Sequence, residues 1–242
     1  MKTSIREMSQ SLVEKMKASG RYRPISDDEY KRLQIEQMQK IAMREQDQRK
    51  IDLSRLGLHE SELSLTWDAI KPNVSEGKKV LEAVKPAYER GWGMVFLWGT
   101  WGQAKTLAGK ILTATAYRDG KRTAYAPMSS VLDDIRKSFD EPERKQTELL
   151  RRMNYWIERD VLFLDELDKT NDTAWAEERL FQLLDQRYAR AIREEALTVI
   201  ASNSDAAELD GYIKSRLKDR RLGPIVYLNG VDGRQVVNGT KV

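Results

Sequence analysis

From Trp67 onward, short apolar runs alternate with stretches in which apolar residues recur every three or four positions. The runs fall at 94–98, 123–126, 161–164, 197–201 and 225–228. The helix-like stretches fall at 105–118, 129–139, 145–157 and 173–193. A strand with one wet face alternates apolar and polar residues. These runs are apolar throughout, the pattern of strands covered on both faces. Strands of that kind alternating with helices predict an α/β fold, a parallel sheet with helices on both faces.

Residues 1–60 have a different texture, rich in Gln, Lys, Glu and Met. Ser26, Asp27, Asp28 and Glu29 form the pattern of a capping box, which predicts a helix from there to about Lys50. Leu33, Met38, Ile41 and Met43 form its apolar stripe, a thin one that buries little by itself. Two readings stand: a solvated charged helix, or a docking arm for another protein. Leu56, Gly57, Leu58 and His59 then break the pattern. The expected organisation is therefore a charged helical segment over 1–60 and a folded core over 61–242. At roughly 150 residues per domain, 242 residues suffice for one full domain and such an extra segment.

Composition removes several chemistries. There is no cysteine, so disulfide scaffolds, thiol nucleophiles and thiolate zinc sites are excluded. A single histidine, His59, argues against His-rich metal sites and most His-based acid–base catalysis. The amino terminus lacks the apolar run of a secretory signal. No stretch approaches the roughly 18 apolar residues needed to span a bilayer. The expectation is a cytoplasmic protein without membrane contact. The net charge of +4 is unevenly placed. Residues 1–60 carry 13 basic against 10 acidic groups, and residues 211–242 carry 7 against 2. The stretch between them is mildly acidic. This balance permits nucleic-acid contact without demanding it.

The candidate chemistry begins where the run at 94–98 meets Gly99, Thr100, Trp101, Gly102, Gln103, Ala104, Lys105 and Thr106, followed by a helical pattern. Strand, glycine-bearing loop, Lys-Thr and helix make the context of a phosphate cradle. Loop N–H groups and the positive end of the helix dipole would face the phosphates. Lys105 would reach the β- and γ-phosphates, and the Thr106 hydroxyl would ligate Mg²⁺. Ala104 departs from the pattern, which has glycine before the lysine. If the position needs a positive φ, alanine costs roughly 1–2 kcal/mol there.

A second run ends in two acids, Asp165 and Glu166. Ligand crevices of α/β sheets lie at the carboxyl ends of the strands. Asp165 there would hold the Mg²⁺ shell, and Glu166 would orient or deprotonate the attacking water. The run at 197–201 leads to Ser202 and Asn203; the asparagine would position the lytic water or touch the γ-phosphate, or is simply a turn former. Further on, Ile213 and Leu217 would form an apolar helical seam, with Arg216 and Arg220 one turn apart on the same helix. An arginine beside such a seam suits a neighbouring subunit's γ-phosphate; a solvated basic helix and DNA-phosphate contacts are the other readings.

In chain order, the loop from Gly99 to Thr106, the Leu164-Asp165-Glu166 strand end, Ala201-Ser202-Asn203 and Ser215-Arg216-Leu217 together resemble an AAA+ ATPase. Among AAA+ ATPases, the chain is similar to the bacterial and phage helicase-loader (DnaC-like) group, whose relatives include the IstB-like transposition ATPases. The stretch 129–139 also resembles that group, and the resemblance covers about residues 67–228. It implies that Gly99–Thr106 is the Walker A loop for ATP and that Asp165 and Glu166 are Walker B, with Mg²⁺ held by Thr106 and Asp165. It implies Asn203 as sensor 1, and Arg216 as the finger acting in a neighbouring subunit, with Arg220 the runner-up. Only about 20 residues follow the finger helix, which implies a core with little or no carboxyl-terminal lid. The implied partners are a replicative DNA helicase docked by the amino-terminal segment, single-stranded DNA, and copies of the chain itself in a ring or spiral.

Single-strand binding needs basic residues interleaved with aromatics. Arg136, Lys137, Phe139, Arg144, Lys145, Arg151, Arg152, Tyr155 and Trp156 supply that mixture, although Phe139 and Trp156 also fit a core. Trp92, Phe96, Trp98 and Trp175 read as packing, whereas Trp101 sits inside the phosphate loop. Three functions remain at this level: an ATP-switched helicase loader, a transposition ATPase assembling on duplex DNA, and a nucleotide-bound regulator that no longer hydrolyses.

Overall fold

A computed structural model describes residues 27–74, 76–140, 142–169, 173–205, 211–233, 236–237 and 240–241. Compact packing divides the chain between Ile51 and Asp52.

Helix α1 spans Asp27–Leu56. Ser26, which opens the expected capping box, lies outside the described residues. Ile35, Met38, Ile41 and Met43 are all more than half exposed, as the thin stripe predicts. The end of the helix differs: Leu53 and Leu56, with Leu58 just beyond, are buried against Ala114. Residues 52–60, grouped with the amino-terminal segment in the sequence, therefore pack with the sheet-bearing body.

That body is built on five parallel strands: β1 (Gly93–Gly99), β2 (Thr123–Pro127), β3 (Val161–Asp165), β4 (Leu197–Ser202) and β5 (Ile225–Leu228). Each contains one of the expected apolar runs. Their order across the sheet is β2-β3-β4-β1-β5. The register sets Phe96 beside Ile200 on one side and Ile225 on the other.

Alternate residues of each strand enter opposite layers. Met94, Phe96, Leu162, Leu164 and Ile200 face one cluster; Val95, Leu97, Val161, Phe163 and Val199 face the other. Helices α2 (Gly77–Arg90) and α3 (Lys105–Arg118) cover the second cluster. Helices α4 (Met128–Arg136), α5 (Lys145–Ile157), α6 (Ala174–Ile192) and α7 (Gly211–Leu217) cover the first. Both faces being dry, the runs need no polar alternation. Gly109 lets α3 approach closely: a Cβ there would lie 2.6 Å from the Phe163 ring.

Two elements differ from expectation. Helix α2 is outside the four expected stretches, yet Val80, Ala83, Val84, Ala87 and Tyr88 are buried at helical spacing. Pro86, which has no amide hydrogen to donate, lies on the exposed face of the helix. Helix α7 ends at Leu217, so Arg220 is not one turn along the same helix from Arg216 but lies in the turn beyond it. Its seam is as expected, with Ile213 and Leu217 buried. After α7 the described residues form β5 and a short antiparallel pair, β6 (Val236–Val237) and β7 (Thr240–Lys241), and include no helical lid. No helix among the described residues is long and apolar enough to cross a membrane.

Candidate functional site

The carboxyl ends of β1, β3 and β4 open on one cleft of about 750 Å³, lined by Gly102 to Thr106, Asp165, Glu166 and Asn203. The chain leaves β1 at Gly99 and turns through residues 100–104 into α3. At Gly102, φ is 73°, and a Cβ would strike the Asp232 carboxylate. Residues 230–233 thus lie directly on the loop. Gln103 is buried and donates its side-chain amide to the Gly230 carbonyl at 2.8 Å. The Gly233 N–H donates to the Gly102 carbonyl at 3.0 Å. Trp101 stands out from the loop, 66% exposed.

Ala104 has φ 60° and ψ 12°, the left-handed region. The position does need a positive φ, so the alanine carries roughly 1–2 kcal/mol of strain. Lys105 follows as the first residue of α3 and is almost fully buried. Its ammonium donates to the Gly99 and Thr100 carbonyls at 2.6 and 2.8 Å. Burial pushes its pKa down, against the pull of the Asp165 and Asp168 carboxylates.

Across the cleft, the Thr106 hydroxyl donates to Asp165 Oδ2 at 2.7 Å. The two residues come from different motifs and meet because β3 and α3 are packed together. The Tyr125 hydroxyl donates to the same oxygen at 2.9 Å, and the Glu166 N–H donates to Asp165 Oδ1 at 2.9 Å. Glu166 itself has φ 53°. Of the three non-glycine residues described with positive φ, two, Ala104 and Glu166, therefore lie in this cleft. Such strain persists only where the surroundings impose it. The Glu166 carboxylate pairs with Lys169, a partly exposed contact of small energetic weight.

Asn203 continues β4 into the cleft. Its N–H donates to Asp168 Oδ1 at 2.7 Å and its side-chain amide to Asp168 Oδ2 at 3.1 Å; the Ser202 hydroxyl donates to Oδ1 at 3.2 Å. Burial raises the Asp168 pKa, but these hydrogen bonds outweigh it and hold the carboxyl below its usual range. Sequence reasoning missed Asp168 and Tyr125. The available signals were a third acid three residues after Asp165 and a hydroxyl inside an apolar strand. It also missed the opposite wall, where Glu62, Ile70 and Lys71 line the cleft and Lys110 of α3 pairs with Glu62 at 2.5 Å. That wall comes from irregular turns without hydrophobic periodicity, so nothing in the pattern marked it.

Arg216 is not among the residues lining this cleft. It is tied to α6 instead: its Nε lies 3.1 Å from Asp185 Oδ1, and its guanidinium stacks on the Tyr212 and Tyr188 rings. Arg220 is exposed, with no ion pair among the described residues.

The basic–aromatic residues divide into two groups. Phe139 is exposed, Trp175 lies 5.9 Å from it centroid to centroid, and Arg136 and Lys145 stand over the two rings. The other group turns inward: Arg152 pairs with Asp134, Trp156 is buried and donates to Asp134, and the Tyr155 hydroxyl donates to the Arg55 carbonyl, whereas Arg151 stays exposed and pairs with Glu148. Phe96 is core, while Trp92, Trp98 and Trp175 are partly buried.

The model of the ATPase family associated with various cellular activities (AAA) matches residues 95–224, more than half of the chain. The chain belongs to this AAA family. No curated protein matches it in sequence. Among solved structures it is similar to the DnaC helicase loader, with 19% identity and a TM-score of 0.53 over 70% of this chain and 99% of that one. It is similar to DnaI, with 16% identity and a TM-score of 0.54 over 73% and 94%. It is also similar to the replication initiator DnaA bound to AMPPCP and single-stranded DNA, with 22% identity and a TM-score of 0.53 over 67% of this chain. The chain spans 49% of that DnaA chain, about half its length. At these identities the shared property is the fold.

Proposed function

We propose that this AAA chain is an ATP-hydrolysing loader that assembles with copies of itself, grips single-stranded DNA and delivers a replicative helicase. The observation that carries the proposal is the Thr106–Asp165 contact at 2.7 Å, in a cleft that also receives Lys105, Glu166 and Asn203. Two hard oxygen donors, one of them a carboxylate, suit Mg²⁺, which takes its remaining ligands from water and phosphate oxygens. No cluster of three or more His, Asp or Glu exists among the described residues to hold a metal by itself, so a cation here depends on a bound phosphate. ATP supplies the phosphoanhydride bond, and a metal between Thr106 and Asp165 would neutralise charge developing on the phosphates. Lys105 exchanges two carbonyls for phosphate oxygens. Glu166 leaves its weak pair with Lys169 to orient and deprotonate water, and Asn203 is held by Asp168 at the γ-phosphate side.

The position of Arg216 outside its own cleft favours action on a neighbouring subunit. The exposed Phe139–Trp175 pair with its two cations offers stacking faces and phosphate contacts for single strands. The exposed apolar side chains of α1 suit a partner such as the helicase. The DnaC and DnaA structures named above support the same reading, as a helicase loader and as an initiator holding single-stranded DNA. A second reading, a binding-only switch, draws on the strained Ala104.

Steady-state ATP hydrolysis with Mg²⁺, measured without DNA and with single-stranded or duplex DNA, tests the proposal. Stimulation by single strands, and a loss of about 10²-fold or more in kcat for Glu166→Gln, are expected. Stimulation by duplex alone transfers the chain to the transposition reading. Tight ATP binding without turnover leaves the binding-only switch.

A further inference from the structure

We infer that Tyr125 is a positioning residue for the metal side of the cleft: its buried hydroxyl holds Asp165 in the rotamer that faces Thr106. The inference rests on the ATP-binding reading above and concerns a residue that lines no part of the cleft. Asp165 Oδ2 accepts two hydroxyls, Thr106 at 2.7 Å from α3 and Tyr125 at 2.9 Å from β2. Oδ1 accepts the Glu166 N–H at 2.9 Å. The carboxylate is therefore fixed at both oxygens, by hydroxyls from α3 and β2 and by the N–H of the residue that follows it.

These three donors differ in kind. Thr106 and Asp165 must open toward a cation when phosphate is bound. Tyr125 stays behind the carboxylate. Its strand pairs with β3, which sets Tyr125 beside Phe163 and Pro127 beside Asp165. Its ring stacks on Phe163 at 5.8 Å between centroids, and only 9% of the residue is exposed. A rigid ring carrying a single donor thus reaches the carboxylate from the protein side. Supporting partners of this kind orient a ligand oxygen, and their loss typically weakens metal binding about 10–100-fold. Without it, Oδ2 retains only the Thr106 hydroxyl, which a bound cation would draw away, and the carboxylate can turn from the cleft. A hydroxyl present only to satisfy its own burial would leave nucleotide and metal affinity unchanged on removal.

The test uses full-length protein and a fluorescent ADP analogue titrated in EDTA and in Mg²⁺. For wild type, Mg²⁺ tightens binding by a measurable factor. For Tyr125→Phe, which keeps the ring, that factor falls about tenfold, while affinity in EDTA stays within about twofold. The Mg²⁺ concentration giving half-maximal hydrolysis rises in parallel, with kcat at saturating Mg²⁺ changed less than the half-saturation point. Equal Mg²⁺ enhancement in wild type and Tyr125→Phe overturns the inference and leaves the ATP-binding reading intact. No Mg²⁺ enhancement in wild type overturns the inference, and no nucleotide binding by wild type in either buffer overturns both. If Tyr125→Phe does not fold, 3-fluorotyrosine at position 125 keeps the ring while changing donor strength. An altered enhancement then supports the inference, and an unaltered one overturns it.

Discussion

Ala104 shows how one methyl group records a compromise at the residue scale. The loop requires the left-handed region at this position, and alanine adopts it at φ 60° against a steric cost. Ala104→Gly removes the strain but adds freedom to the unfolded chain. The expected net gain is about 1 kcal/mol, or roughly 2–4 °C in melting temperature for a body of this size, measured by thermal denaturation. Asp168 is the other informative residue. Its folded-state pKa is lowered, so its hydrogen bonds to Asn203 and Ser202 contribute fully above the ordinary carboxylate pKa. That contribution is lost as pH falls through the lower, folded value. Asp168→Asn is therefore expected to melt below wild type at neutral pH. The gap closes only below about pH 4, as melting curves over a pH series would show. Both residues were only half legible in sequence. The cost of Ala104 followed from the motif, but whether the site imposes a positive φ depended on the folded loop. Asp168 was visible as an acid, whereas its partner Asn203 lies 35 residues further along, just past the end of β4.

Among the elements, the clearest device is Arg187 of α6, fully buried and with no carboxylate paired to it among the described residues. Its guanidinium donates to the Ile157 and Leu197 carbonyls at 2.7 and 2.6 Å, to Thr198 Oγ1 at 2.8 Å, and to the Arg159 carbonyl. It thus clips the end of α5 and the start of β4 to α6, at the amino-terminal end of the central strand, opposite the cleft. Planar, pre-organised donors suit this task better than a lysine would. Arg187→Met fills similar volume but orphans buried acceptors, with an expected cost of about 2–4 kcal/mol in denaturant unfolding. The cleft is remote, so nucleotide affinity of the folded fraction should stay unchanged. At this scale the hydrophobic pattern located all five strands and α3, α5 and α6 closely. It left out α2, although the buried residues of that helix recur at regular helical spacing. It overextended α7, because basic residues beyond Leu217 continued the helical spacing without being part of the helix.

For the molecule as a whole, the placement of Arg216 bears on the proposed assembly with copies of the chain. It is engaged with Asp185 and two tyrosine rings, outside its own cleft. If it serves a neighbouring subunit, Arg216→Ala lowers kcat by about 10³-fold or more. Mixing Arg216→Ala with Lys105→Ala protein then restores part of the activity, because some interfaces combine an intact cleft with an intact arginine. Absence of any such rescue in a mixed hydrolysis assay removes the assignment to a neighbouring subunit. The amino-acid sequence by itself determined the fold class, the five strands, the glycine-bearing loop after β1 and the acidic end of β3, since each is a local pattern of apolar period or residue type. Only the tertiary structure decided which oxygen Thr106 and Tyr125 share, which acid holds Asn203, what closes the second wall of the cleft and which basic–aromatic residues face outward. Those outcomes depend on contacts between segments distant along the chain, and periodicity carries no information about such pairings.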